Sequence, residues 1–155
     1  MQNLPTSSSK TVPESPDVVS LYCLAEELDI PVYWYTMDSE VESLVVELAP
    51  GQTAIALDPL KFKDLPDEKY KLAHELGHSV TGALYRLDTP LDERGRSEQR
   101  ADRWAIQRLL PFDTLRQAIH GGRDTPAELA EYFQLPQVLI EKAIAYYTGP
   151  LGLTF

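Results

Sequence analysis

Apolar and polar positions fall into blocks of different period along the chain. From Asp17 to Asp29 the apolar residues Val18, Leu21, Tyr22, Ala25 and Leu28 recur at intervals of three and four, as on one face of a helix, and Pro31 ends the run. "VYWYTM" (32–37) is β-branched and aromatic and predicts a strand. "SLVVELA" and "TAIALD" are short apolar runs separated by "PGQ", the pattern of two antiparallel strands on a short glycine-containing turn. Together these runs predict a small antiparallel sheet of about three strands.

After "DPLKFKD" the period turns helical. Asp64 and Pro66 mark a helix start, because the missing N–H of proline is not needed in a first turn. The helix is expected to carry "DEKYKLAHELGHSVTGALY" (67–85), with Leu72, Leu76, Val80 and Ala83 on one face. "LDTPLDERGR" (87–96) reads as a polar connection, and a second helix as "SEQRADRWAIQRLL" (97–110), stopped by Pro111. A short helix, "FDTLRQAIH" (112–120), is closed by Gly121-Gly122. Thr125 and Glu128 form a capping box that opens "AELAEYFQL" (127–135), and Pro136 starts "QVLIEKAIAYY" (137–147). Residues 1–16, rich in Ser, Pro and Thr, read as a flexible tail, and 17–155 as one domain. The class is α+β.

At 43% hydrophobic residues the chain has enough apolar material for a core and is expected to be soluble and globular. No apolar run approaches the roughly 18–20 residues that span a bilayer. The N-terminus lacks the apolar stretch of a signal peptide, so a cytoplasmic location is expected. The single cysteine, Cys23, permits no internal disulfide and suits a reducing compartment; its helix face predicts a core position. The net charge of −10 is unevenly spread. Residues 1–60 hold ten acidic residues against Lys10 alone, whereas 61–104 hold nine of each sign. The chain has no basic patch, which argues against tight non-specific nucleic-acid binding. The acidic third reads first as a solvated face; it would also suit a basic partner.

Candidate chemistry centres on "HELGH". Residues four apart on a helix share a face, so His74 and His78 can offer two imidazole nitrogens to one ion. Zinc prefers a tetrahedral shell, of which two histidines fill half. Glu75 projects beside the pair, where a carboxylate can reach a water at the ion and serve as a base. Gly77 reads as leaving space beside the metal. The third ligand is open between His120, the only other histidine, and Glu98. Glu98 and Asp102 are four apart, so Glu98 can complete the shell while Asp102 accepts an N–H from a ligand histidine. The bland alternative pairs these carboxylates with Arg94, Arg96, Arg100 and Arg103 on a solvated helix; the proximity of "HELGH" favours the ligand reading. Zn2+ is the expected ion; two imidazoles and a carboxylate also suit Mn, Co or Ni, and availability matters as much as geometry. Tyr70, Tyr85, His120, Tyr146 and Tyr147 are candidates for a second donor to an oxyanion.

"LAHELGHSV" followed by "SEQRADRWAIQRLLP" resembles the ImmA/IrrE family of metallopeptidase-like proteins. That family pairs H-E-x-x-H with a downstream E-x-x-A-[ND] helix that ends in leucines and a proline; Glu98, Ala101, Asp102, Leu109, Leu110 and Pro111 match it. Trp104-Ala105 stands where many members have Phe-Ala, and the Met of the common "LLMP" is absent. The resemblance covers roughly Asp17 to Tyr147. It implies a zincin-like helical core under the small sheet, with additional C-terminal helices, and a gluzincin-like zinc site. In that site His74, His78 and Glu98 are the ligands and Glu75 the general base. It further implies a phage or mobile-element setting and a protein substrate, an Xre-type helix-turn-helix repressor; no membrane partner is expected, since no apolar run is long enough to span one. Two other readings compete. One is a non-catalytic zinc-containing module that binds a partner protein. The other is a DNA-binding regulator, since "TPAELAEYFQLPQVLIEKAI" has a helix-turn-helix cadence; its second helix offers only Lys142 as a cation, balanced by Glu141.

Overall fold

A computed structural model describes residues 15–86 and 88–155. Most of the expected tail, residues 1–14, lies outside the described residues. Helix α1 (Val18–Glu27) starts where the Asp17 carboxylate accepts from the Ser20 backbone N–H at 2.7 Å, and it buries Leu21 and Ala25. Cys23 is exposed, against the expectation of a core position. Two residues along a helix turn the side chain about 200°, away from the face that Leu21 and Ala25 share.

Three strands follow: β1 (Val32–Trp34), β2 (Ser43–Ala49) and β3 (Gln52–Leu57). The β2–β3 pair is antiparallel, joined by Pro50 and Gly51, whose φ of 77° is one that glycine accepts without strain. The third strand corrects the expectation of an all-antiparallel sheet. The order is β1-β3-β2, and β1 runs parallel to β3, with Val32 opposite Ile55. The chain leaving β1 passes over the sheet end to β2, and β3 then returns between them. The expected strand stops at Trp34, because residues from Met37 onward are gathered by Lys61 and Asp58 instead. The Lys61 ammonium donates to the carbonyls of Met37 (2.8 Å), Ser39 and Val41 (2.9 Å). The buried Asp58 carboxylate accepts from the backbone of Met37 and Leu60.

One 3-10 turn (Pro59–Lys61) leads into α2 (Leu65–Thr81), capped by Asp64, which accepts from Asp67 N at 2.9 Å. α2 is shorter than expected: Gly82 takes φ 65° and ends it, four residues before the α-helical pattern stops. Helix α3 (Leu91–Leu109) is longer, beginning six residues early inside the stretch expected to be a connection. "LDERGR" is nearly all polar because that end of α3 faces solvent, so its helicity leaves no apolar period; an Arg96–Asp92 pair at 2.8 Å spans its first turns. α4 (Phe112–His120), α5 (Pro126–Phe133) and α6 (Gln137–Thr148) match their patterns, and both halves of the Thr125–Glu128 capping box are formed.

The core joins Leu72 and Leu76 of α2 to Ala105 and Leu109 of α3, Ile55 and Leu57 of β3, and Leu139, Ile140 and Ala143 of α6. Val80, expected on the buried face, is exposed. α2 and α3 are in close contact at Gly77, where an added Cβ would lie 2.6 Å from the Ala101 carbonyl oxygen. Gly77 therefore serves the packing of the two helices and is not a space left beside a metal. Among the described residues no helix is long and apolar enough to cross a membrane.

Candidate metal centre

The close α2–α3 contact brings one turn of each helix face to face. From α2 come His74 and His78, and from α3 comes Glu98. His74 Nε2 lies 2.9 Å from Glu98 Oε2, His78 Nε2 lies 3.2 Å from Glu98 Oε1, and the two Nε2 atoms are 3.1 Å apart. In a tetrahedral shell with bonds of about 2.0–2.1 Å, neighbouring ligand atoms stand about 3.3 Å apart. The three groups thus already sit close to the spacing that one zinc-sized ion requires.

The outer nitrogens decide the protonation. The Ala83 carbonyl, freed from the helix ladder by the stop at Gly82, can only accept, so His78 Nδ1 donates to it at 2.7 Å. His74 Nδ1 donates likewise to Asp102 Oδ1 at 2.8 Å. Each neutral imidazole then directs its remaining lone pair at the other and at a carboxylate. Such a cluster of acceptors is relieved by a proton or by a cation. Without a cation the proton is held tightly. Burial opposes the His74 imidazolium, but hydrogen bonds to Asp102 and Glu98 and the charge of Glu75 outweigh it and lift its pKa to about 9. Burial likewise opposes the charged form of His78, while Glu98 and the Ala83 carbonyl raise it. The two histidines hold the Glu98 carboxyl well below the usual carboxylate range. A divalent ion would take the place of that proton on the same atoms, and the set of two imidazoles and one carboxylate is chemically suited to hold one.

Glu75 is buried beside this cluster and Ser43 Oγ, on β2, donates to its Oε1 at 2.6 Å. Burial pushes its carboxyl up, against the opposing pull of Ser43 and the two histidines. His74, Glu75, His78 and Glu98 line one side of a cleft of about 730 Å3. Ser43 to Glu47 of β2 and Leu84 to Arg86 complete the lining, with the Tyr85 ring edge-on to His78, 6.1 Å between centroids. The bland arginine-pairing alternative for α3 does not occur: Glu98 pairs with the histidines, and Asp102 pairs with His74 and Lys142. Arg94 instead donates to the Thr89 carbonyl, and Arg103 lies over the Tyr146 ring.

Of the five candidate donors, only Tyr85 lines the cleft. His120 is exposed at the end of α4 and outside the metal-ligating group. Tyr147 donates to the Leu110 carbonyl and Tyr146 accepts from Gln107, both away from the centre. Tyr70 is tied to Asp102 at 2.7 Å. Two participants carry no sequence signal of their own. Ser43 is one small residue in an apolar strand, and Lys142 stands some forty positions from its partner Asp102.

A helix bearing two histidines and a buried glutamate, crossed by a second helix that supplies a carboxylate, with an edge strand beside them, is a zincin-like arrangement that could hold a metal ion. The family model Peptidase_M78, described as the IrrE N-terminal-like domain, matches residues 25–144. The chain belongs to that family, the ImmA/IrrE metallopeptidases, and its function is metallopeptidase-like. No curated protein and no solved structure matches the chain significantly.

Proposed function

We propose that the chain is a zinc-dependent metallo-endopeptidase that hydrolyses a peptide bond in a protein substrate, an Xre-type helix-turn-helix repressor. The observation that carries the chemistry is the convergence of His74, His78 and Glu98 beside the buried carboxylate of Glu75 on one cleft wall. The repressor as substrate is carried by the family resemblance.

His74, His78 and Glu98 are assigned as ligands of the ion, which when bound supplies Lewis acidity toward a carbonyl and toward water. Glu75 is the general base. Its Oε1 is fixed by Ser43, and Oε2 is assigned to take the proton as the water oxygen bonds to the carbonyl carbon. The C–N bond then breaks as Glu75 returns that proton to the leaving amine. Burial favours the protonated form of this carboxyl and so makes it a stronger base than an exposed glutamate. Tyr85, which lines the cleft beside His78 and Glu98, is assigned as the second donor to the developing oxyanion. β2 is an edge strand, so an extended substrate segment can pair along it while its scissile bond faces Glu75.

The DNA-binding reading is not favoured by the geometry of α5 and α6. Leu139, Ile140 and Ala143 of α6 are buried, and Lys142 is bound to Asp102. The test separates the enzyme from a binding module. Zinc-loaded protein is incubated with a purified helix-turn-helix repressor and, separately, with unfolded casein. New chain termini are expected by mass spectrometry, absent in EDTA and restored by zinc. Stable binding of the repressor with no cleavage of either protein would replace the enzyme by the binding module.

A further inference from the structure

We infer that Lys142 is a positioning residue of the metal centre: it acts through Asp102 and Tyr70 to hold the His74 imidazole in its ligating orientation. The inference rests on the proposed reading of His74 as a metal ligand. Lys142 Nζ donates to Asp102 Oδ2 at 2.6 Å and to the Tyr70 hydroxyl at 3.0 Å. The Tyr70 hydroxyl in turn donates to Asp102 Oδ1 at 2.7 Å, the same oxygen that receives His74 Nδ1–H at 2.8 Å. Both carboxylate oxygens are therefore engaged, one on each side, and the plane of the carboxylate is fixed. A carboxylate so fixed gives His74 one tautomer and one ring orientation.

Lys142 is well placed to do this because its helix cannot drift. Leu139 and Ala143, on either side of it in sequence, are fully buried against the core, and the Lys142 ammonium lies 5.6 Å from the Tyr70 ring centre. Charge points the same way. Glu75, Glu98 and Asp102 carry one more negative charge than a dication neutralises, and the Lys142 ammonium cancels it. The side chain of Asp102 is 17% exposed, so without Lys142 its Oδ2 turns to water and the carboxylate regains its freedom. The C-terminal helix is thus a working part of the metal centre and not an appendage to it.

Zinc affinity, measured by competition with a chromophoric chelator, tests this on four forms: wild type, Lys142→Met, Asp102→Asn and the double variant. Lys142→Met is expected to bind zinc about 5- to 10-fold more weakly than wild type, and Lys142→Arg to restore most of the loss. In the Asp102→Asn background the same change is expected to alter affinity by less than about 2-fold, because the path runs through that carboxylate. An equal loss in both backgrounds would mean that Lys142 acts on the fold at large, and no loss in either would mean that it does not position His74; each overturns the inference. A wild-type chain that takes up no zinc is a different failure, since it removes the ligand reading itself.

Discussion

Glu75→Gln is expected to leave the metal centre filled and to stop peptide hydrolysis, with kcat/KM falling roughly a hundred- to ten-thousand-fold. The amide keeps the size of the carboxyl and can still meet Ser43 Oγ, so the cleft keeps its shape. What it loses is a site for a proton. Glu75 contributes no atom to the His74–His78–Glu98 group, so zinc content should stay at the wild-type level. The pair of measurements is needed together. A variant that loses both metal and activity would make Glu75 a structural support of the ligands. A variant that cleaves at the wild-type rate would remove the general base from the mechanism.

Gly77→Ala is expected to destabilise the protein and to weaken zinc binding at the same time. The added methyl would stand 2.6 Å from the Ala101 carbonyl oxygen and 3.0 Å from its Cα. The obstructing atoms are backbone, so relief requires α3 to move as a body. Overpacking of this kind costs about 1–3 kcal/mol, and the backbone obstacle puts this site at the upper end. The gain in helix propensity from Gly to Ala offsets only about 1 kcal/mol. Ala101 lies between Glu98 and Asp102, so any shift of α3 displaces the third ligand and the partner of His74 together. Gly95→Ala is the control. It sits in the partner helix α3 with nothing within 4 Å of the new methyl, and should raise the Tm slightly. Equal thermal melts for wild type and Gly77→Ala would show that the helices can part there at no cost.

The two metal-centre helices are legible in the sequence because helical periodicity is local. A spacing of four places His74 with His78, and Glu98 with Asp102, before any tertiary contact is known. The pairing of the two helices is less local and is legible only through the need of a metal site for a third ligand. What stayed hidden depends on distance along the chain or on solvent. The first six residues of α3 carry no apolar stripe because all but Arg94 are exposed. The parallel pairing of β1 with β3 depends on where the chain from Tyr35 to Glu42 crosses, which alternation cannot encode. Gly77 was readable as special, but its neighbour is Ala101, twenty-four positions on, so its role as a packing contact needs the fold. Ser43 and Lys142 reach the centre from other elements entirely, and no spacing rule links them to "HELGH". The family membership that the motifs suggested rests on a match over residues 25–144, far more of the chain than the motifs alone.

Metal content by elemental analysis, on wild type and on Glu98→Ala purified without added metal, tests the centre most directly. About one zinc per chain is expected in the wild type, and little or none in the variant, because two imidazoles alone fill only half of the shell. A wild-type chain that carries no metal and takes up none when zinc is added would contradict the metal centre, and with it the proposed hydrolysis.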